Sequence, residues 1–292
     1  MPHDTSTSSS LPAPGAGTTP AAFYLPDGDA LTATSAAEGP WSPDQQHGGP
    51  VAAVLGRALE GAAPPGGHLA RITVDFLGPV PMGTVRTSVR VLRPGRSIAL
   101  LQAELVAPTD GDGDGQPAGA DRQVRARATA WWRRSAAGTT PAVPLPALPV
   151  PLPRDLPTAV PDTDLTRFLD RGYIAATEYR YAAGRLEQPG PTTAWWRARV
   201  PLVAGEATSP LQRVLLAADV ASGISAVLDF RTHLFSNLDL VVTLLRPPDG
   251  DWVLLHASTA IDPTGGGLTT TTLADVAGTF GQAAATLFVR PH

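Results

Sequence analysis

The chain has 292 residues, 43% apolar and 16% charged, with a formal net charge of -4. That length fits two ordinary domains or one large one, and the apolar share is enough for a packed core, which excludes global disorder. The weak negative charge points away from nucleic acid and anionic membranes as partners; the absence of Cys excludes disulfides and thiolate chemistry, and the absence of Lys excludes Schiff bases and a P-loop.

Residues 1–20 are rich in Ser, Thr, Pro and Gly and lack both a basic start and a continuous apolar run. They are expected to be a disordered tail and not a secretory signal. No stretch approaches the ~18 apolar residues a membrane helix needs, so a cytoplasmic location with no membrane partner is expected. Phe23 to Leu25 predict a first strand and Asp27-Gly28-Asp29 a turn. Pro50 opens an apolar stretch with Val51, Val54, Leu55 and Leu59 on one face, a buried helix that ends between Gly61 and Gly67. Period-two alternation then predicts strands over Ile72 to Phe76, Val85 to Leu92, Ser97 to Val106 and Gln123 to Arg133. The DGDGDG run between Asp110 and Asp121 lacks the terminal Glu of a calcium loop and reads as a hairpin turn.

Ala136 to Pro161 is rich in Pro and poor in charge, so an extended interdomain connector laid across the surface is expected. The second half repeats the first. Phe168 to Arg185 and Thr193 to Pro201 read as strands, Ser209-Pro210 opens a helix over LQRVLLAADVASGISAVLD, and strands follow at Leu234 to Leu245, Trp252 to Asp262, Leu268 to Asp275 and Ala283 to Val289. Such a repeat indicates duplication, with the halves forming a pseudo-dimer. In Trp131-Trp132 and Trp195-Trp196, alternation predicts one core ring and one partly exposed or interfacial ring.

Two places carry chemistry. In His47-Gly48-Gly49-Pro50, glycines let backbone approach a ligand, and first-turn N–H groups of a helix carry unspent positive partial charge. The amides of Gly48, Gly49 or Val51 can stabilise an oxyanion there, though the same pattern also suits a tight loop-to-helix turn. His47 can orient substrate or move a proton, or merely bond a loop carbonyl. Asp219 lies within an apolar helical stretch with no Arg three or four residues after it. A buried carboxylate needs hydrogen bonds or a function. The His spacings give no zinc motif, and there is no GxSxG elbow or GxGxxG fingerprint.

The ordered set HGGPVAAVLGRAL, ARITVDFLGPVPMG, VLRPGRSIALLQAELV and ARATAWWRR resembles the first domain of TesB-like acyl-CoA thioesterases, and VLLAADVASGI resembles their second helix. The resemblance runs from about Ala21 to Arg290. It implies an α+β double hotdog, two antiparallel sheets each wrapping a central helix, with domains at 21–135 and 164–292 and a linker at 136–163. It also implies hydrolysis of an acyl-CoA or acyl-carrier thioester, with Asp219 activating water and no metal or cofactor. The family's Thr position is Asn237 here, and its Gln position is Ala285, which cannot hold water; Gln282 should face the other side of the strand. That departure keeps two rivals open: a non-hydrolytic dehydratase, isomerase or cyclase on a polyketide-like substrate, and a non-catalytic acyl-binding protein. The expected site is therefore Asp219, Asn237 and His47 for catalysis, with Gly48, Gly49 and Val51 binding an acyl thioester in a monomer or homo-oligomer. With no Lys, an Arg must meet the carrier's phosphates, and the sequence does not say which.

Overall fold

The computed structural model describes residues 20–108, 122–136, 138–159 and 171–292. The expected tail up to residue 19, the DGDGDG turn and the segment 160–170, where the expected strand from Phe168 begins, lie outside these residues.

Thirteen strands among the described residues form one antiparallel sheet. In the first half they are β1 (Tyr24–Asp27), β2 (Ala30–Ala33), β3 (Gly67–Phe76), β4 (Thr84–Arg93), β5 (Ile98–Pro108) and β6 (Arg122–Arg134). In the second they are β7 (Thr177–Arg185), β8 (Gln188–Ala198), β9 (His233–Asn237), β10 (Asp239–Leu244), β11 (Val253–Ile261), β12 (Gly266–Asp275) and β13 (Gly278–Pro291). The sheet order is β1-β2-β4-β5-β6-β3-β10-β13-β12-β11-β8-β7, a palindrome about the β3–β10 pair. Strands of the first half thus join those of the second edge to edge through β3 and β10, and the strand order of one half is mirrored in the other.

Each half lays one long helix on its sheet: α1 (Gly48–Ala62) in the first, and α3 (Pro210–Ala218) in the second, with one-turn helices α2 (Gly172–Ala175) and α4 (Ala221–Ile224) beside it. α1 is buried from Gly49 to Gly56 because Gly, Ala and Val there admit close neighbours; a Cβ at Gly56 would collide with Leu215 of α3. α1 and α3 pack in opposite senses. The start of α1 meets Asp219 at the end of α3, and near the end of α1, Glu60 accepts hydrogen bonds from Ser209 Oγ and Gln212 Nε2 at the start of α3. Ser209 and Gln212 also form a capping box, with Pro210 in the first turn, which is why the helix starts where the sequence places it.

Three expectations are corrected. The helix from Ser209 does not run on to Asp229: it ends at Ala218, with Asp219 as its cap, so this carboxylate terminates a helix and is not inside one. The strand expected from Phe168 is interrupted by α2. Gly172 adopts left-handed geometry (φ 60), and a Cβ there would lie 2.5 Å from Glu38 O, so glycine permits the turn that the neighbouring aromatic and β-branched residues obscure. The strand expected over Leu234 to Leu245 is split at Leu238. Its pairing with β13 slips from Asn237↔Leu287 to Val241↔Ala284, three residues of β13 spanning four here, a β-bulge beside which the Asp239 carboxylate takes the Thr286 N–H at 2.7 Å.

The Pro-rich connector does cross the surface, and it determines where Trp195 sits. Leu148, Val150 and Leu156 cover Trp195, Leu254 and Trp252 on the outer side of the sheet, and Trp195 Nε1 donates to Pro151 O at 2.9 Å. Trp195 is consequently buried, not partly exposed as alternation alone predicted, while Trp196 enters the main core. No helix among the described residues is long and apolar enough to cross a membrane.

Candidate active site

Asp219 is 6% exposed and faces the first turn of α1. Gly48 is what permits the contact, since a Cβ at that position would stand 2.7 Å from both carboxylate oxygens. Gly49 permits a second one: its Cβ would fall 2.7 Å from Leu216 O of α3. The glycine pair therefore does more than turn the chain, because it brings two helices together end to side.

Three side chains fix the carboxylate. Asn237 Nδ2, on the last residue of β9 before the bulge, donates to Asp219 Oδ1 at 2.7 Å and to Asp219 O at 3.0 Å. Ser222 Oγ donates to Asn237 Oδ1 at 2.9 Å, so the amide orientation follows from its partners on both sides. Both Nδ2 hydrogens are spent on Asp219, so Asn237 holds the carboxylate in place and has no donor left for a water.

His47 is the third. Its Nδ1 lies 3.0 Å from Asp219 Oδ2 and 3.1 Å from Gly49 N. One nitrogen cannot serve both as hydrogen bonds: an unprotonated Nδ1 would cap the Gly49 N–H but face a carboxylate lone pair. The Gly49 N–H is the partner that forms a hydrogen bond with Nδ1, and Asp219 Oδ2 is a close polar contact of the ring. The ring is stacked on Tyr173, centroids 3.9 Å apart and 10° from parallel, and Tyr173 is pinned by a 2.6 Å hydrogen bond to Leu216 O. Burial holds the Tyr173 hydroxyl well above its usual pKa, so it stays neutral.

The helix start also narrows the choice of oxyanion donor. Gly49 N–H points at His47 Nδ1, Pro50 has no N–H, and Val51 is the first residue whose amide has an acceptor inside the helix. Gly48 N–H is left as the unspent donor of this turn. Val51 is 1% exposed and serves as an apolar wall.

These groups open onto a cavity of about 480 Å³ whose wall includes His47, Gly48, Val51, Asp219, Ser222 and Asn237. One part of the wall is aromatic: Trp41 meets Phe235 edge-on at 5.4 Å, and Phe230 leans on both. The other part comes from the β7–β8 hairpin, with Tyr179, Tyr181 and Arg185. Ala285 lies outside this wall, in a small cluster with Phe235, Leu287 and Val289, and Gln282 is exposed on the opposite face of β13. Among the described residues no group of His, Asp and Glu is placed to hold a metal ion.

The structure thus brings Asp219, Asn237, His47, Gly48, Gly49 and Val51 to one place. Sequence reasoning missed Ser222 and Tyr173. Ser222, three residues beyond Asp219, shared its side of a helical turn and could have been singled out on that spacing. Tyr173 gave no local signal.

The N-terminal domain of acyl-CoA thioesterases matches residues 37–133, and their C-terminal domain matches residues 153–289. The chain belongs to the acyl-CoA thioesterase family. Several solved structures share its shape. A thioesterase II candidate from Thermobifida fusca is 18% identical, covers 92% of this chain and 96% of its own, and has a TM-score of 0.69. A hotdog-fold protein from Alicyclobacillus acidocaldarius, also 18% identical, covers 92% and 96% with a TM-score of 0.64. The tesB protein of Mycobacterium avium subs paratuberculosis is 16% identical and covers 90% and 93% with a TM-score of 0.62. At these identities the likeness establishes the hotdog fold alone. No curated protein matches the chain. The cavity of this thioesterase-family chain therefore opens beside the helix that begins with the HGG motif.

Proposed function

We propose that the chain is a double hotdog, with domains at 21–135 and 164–292 joined by the 136–163 connector, that hydrolyses acyl-CoA or acyl-carrier thioesters with Asp219 as general base. The observation that carries this reading is the placement of Asp219: a buried carboxylate held by Asn237 and His47, open to the cavity, and in contact with the helix start where an oxyanion would form.

In this mechanism Asp219 takes a proton from water as the water oxygen attacks the thioester carbonyl. The carbonyl oxygen becomes an oxyanion against the Gly48 N–H at the positive end of α1. Collapse breaks the C–S bond, and the departing thiolate recovers the proton from Asp219. Asn237 and Ser222 keep the carboxylate oriented, and the His47 ring lies against Oδ2. No step calls for a metal or an organic cofactor.

The test is thiol release from a panel of acyl-CoAs of increasing chain length, with Asp219→Asn in parallel. Loss of a positioned general base typically costs about 10²–10⁴-fold, so turnover should fall by at least a hundredfold while the fold persists. Release that survives in Asp219→Asn removes this carboxylate from the mechanism.

A second reading has its own support. Asn237 has no free donor and Ala285 is outside the cavity wall, so the water that hydrolysis needs has fewer holders than the family pattern supplies. The same Asp219 could remove a proton from substrate carbon in a dehydration or isomerisation. Absence of thiol release from every panel member, with the protein folded and binding the thioesters, would favour that chemistry or acyl binding without turnover.

A further inference from the structure

The β7–β8 hairpin wall of the cavity differs in chemistry from the rest. Arg185 is the one Arg in the cavity wall among the described residues, and its guanidinium is exposed and makes no ion pair or hydrogen bond there. Tyr181, half-buried on the same strand, also has no hydrogen bond to its hydroxyl among those residues. Its ring stacks on Tyr179, centroids 6.2 Å apart and 11° from parallel. Tyr179 continues the pattern inward: its hydroxyl is buried without a partner that meets hydrogen-bond geometry, although Thr177 and Trp196 lie near enough to oppose slightly the rise in its pKa that burial causes. Glu187, in the hairpin turn, is already engaged.

The Arg185 guanidinium and the Tyr181 hydroxyl line the same cavity and have no protein acceptor among the described residues, so a ligand there would meet donors held only by water. Exchanging that water for a charged acceptor gives a charge-assisted hydrogen bond, stronger than the neutral ones it replaces. The ligand class that satisfies both is an anionic group with several acceptor oxygens, for which Arg offers a planar fork and Tyr a single directed O–H. The rest of the wall is mainly apolar or is committed to holding Asp219, so such a group would be recognised at this place and not near the reacting carbonyl.

We infer that Arg185 and Tyr181 form an anion subsite that anchors the far end of the bound thioester, through a phosphate of its carrier or a carboxylate at the tip of its acyl chain. This rests on the thioester reading of the cavity and names which end of the ligand the hairpin holds. It also selects one Arg of the 22 basic side chains.

The test uses thioethers, which bind without being hydrolysed, so the subsite is read whether or not the protein turns over a thioester. Three probes are titrated by calorimetry: S-hexyl-CoA, S-hexylpantetheine, which lacks phosphates, and S-(5-carboxypentyl)pantetheine, which carries the charge on the acyl side. A charge-assisted hydrogen bond at a half-exposed site corresponds to about tenfold in affinity. The wild type should therefore bind at least one charged probe about tenfold tighter than S-hexylpantetheine, with the margin shrinking as salt rises. Arg185→Gln should erase that margin and leave the neutral probe within twofold; Arg185→Lys should keep part of it, and Tyr181→Phe should reduce it. Preference for the CoA probe assigns the carrier phosphate, and preference for the carboxylate probe assigns the acyl tip. A margin that survives Arg185→Gln, equal weakening of all three probes, no margin in the wild type, or no binding of any probe overturns the subsite. Loss of thioester turnover with an intact margin would instead count against hydrolysis and leave the subsite standing.

Discussion

Gly48→Ala separates a catalytic arrangement from a merely tight turn. The added methyl carbon would begin 2.7 Å from both Asp219 oxygens, against about 3.4 Å where ordinary contact starts, so the carboxylate must retreat by several tenths of an ångström. It cannot do so freely, because Asn237 holds Oδ1 at 2.7 Å and His47 holds Oδ2 at 3.0 Å. Misplacing a reacting group by about 1 Å costs about 10²-fold, so kcat/KM for thiol release should fall roughly 10- to 100-fold. The backbone at Gly48 is not in the left-handed region, so the change does not strain the chain itself. Gly61→Ala is the matched control on the same helix, with nothing within 4 Å of its Cβ. It should leave activity unchanged and raise stability by up to about 1 kcal/mol through helix propensity. Steady-state kinetics and urea unfolding of both variants check the argument. A folded Gly48→Ala protein with wild-type kcat/KM would refute the claim that contact between Asp219 and the start of α1 matters for turnover.

Ser222→Ala removes the donor that orients Asn237 and should lower kcat about tenfold, with an unfolding free energy within about 1.5 kcal/mol of wild type. Asp275→Ala tests a structural pair: its fully buried carboxylate takes both Arg246 Nη groups at 2.6 and 2.7 Å and two backbone N–H groups, and breaking such a pair costs about 3 kcal/mol. Burial alone would raise the Asp275 pKa, but the Arg246 hydrogen bonds, the Asp249 and Ala277 N–H groups and the Arg246 charge together outweigh it and hold it below 3.8, so this stabilisation is present above that value and is lost as pH falls through the depressed one. Acid unfolding of the wild type and Asp275→Ala should therefore converge at low pH. Glu60 has the opposite sign. Burial raises its pKa above 4.5 despite Ser209 and Gln212, so ionising it costs the folded state as pH rises above that value. Glu60→Gln should gain stability relative to wild type between pH 4 and pH 7 in urea titrations, and a pH-independent difference would contradict the assignment.

How much of this was legible in the chain can be judged residue by residue. Helix α1 was readable because Pro50 and the apolar spacing are local signals, and the long strands were readable because alternation follows from one-sided burial. The Gly48-Gly49 pair and Asp219 stood out on chemistry alone, as glycines before a helix and a carboxylate in an apolar stretch. Ends and interruptions were not readable. The helix stops at Asp219 because the partners of that carboxylate lie on α1 and β9, some 170 residues before it and 18 after it in the chain, and no local propensity encodes them. The split at Leu238 depends on register against β13, and the burial of Trp195 depends on a connector that reads only as proline-rich.

The sequence by itself determined the duplication, the element types, the family resemblance and the residues with chemistry to offer, since those follow from composition, periodicity and motif. The tertiary structure decided their contacts. It set Asn237 against Asp219, left Gly48 with the unspent amide, brought Ser222 and Tyr173 to the same place, and put Arg185 and Tyr181 in the cavity wall. The physical reason is that a hydrogen bond is a property of two groups at a distance, and the distances in this site are set by two helices and a bulged strand from opposite halves of the chain.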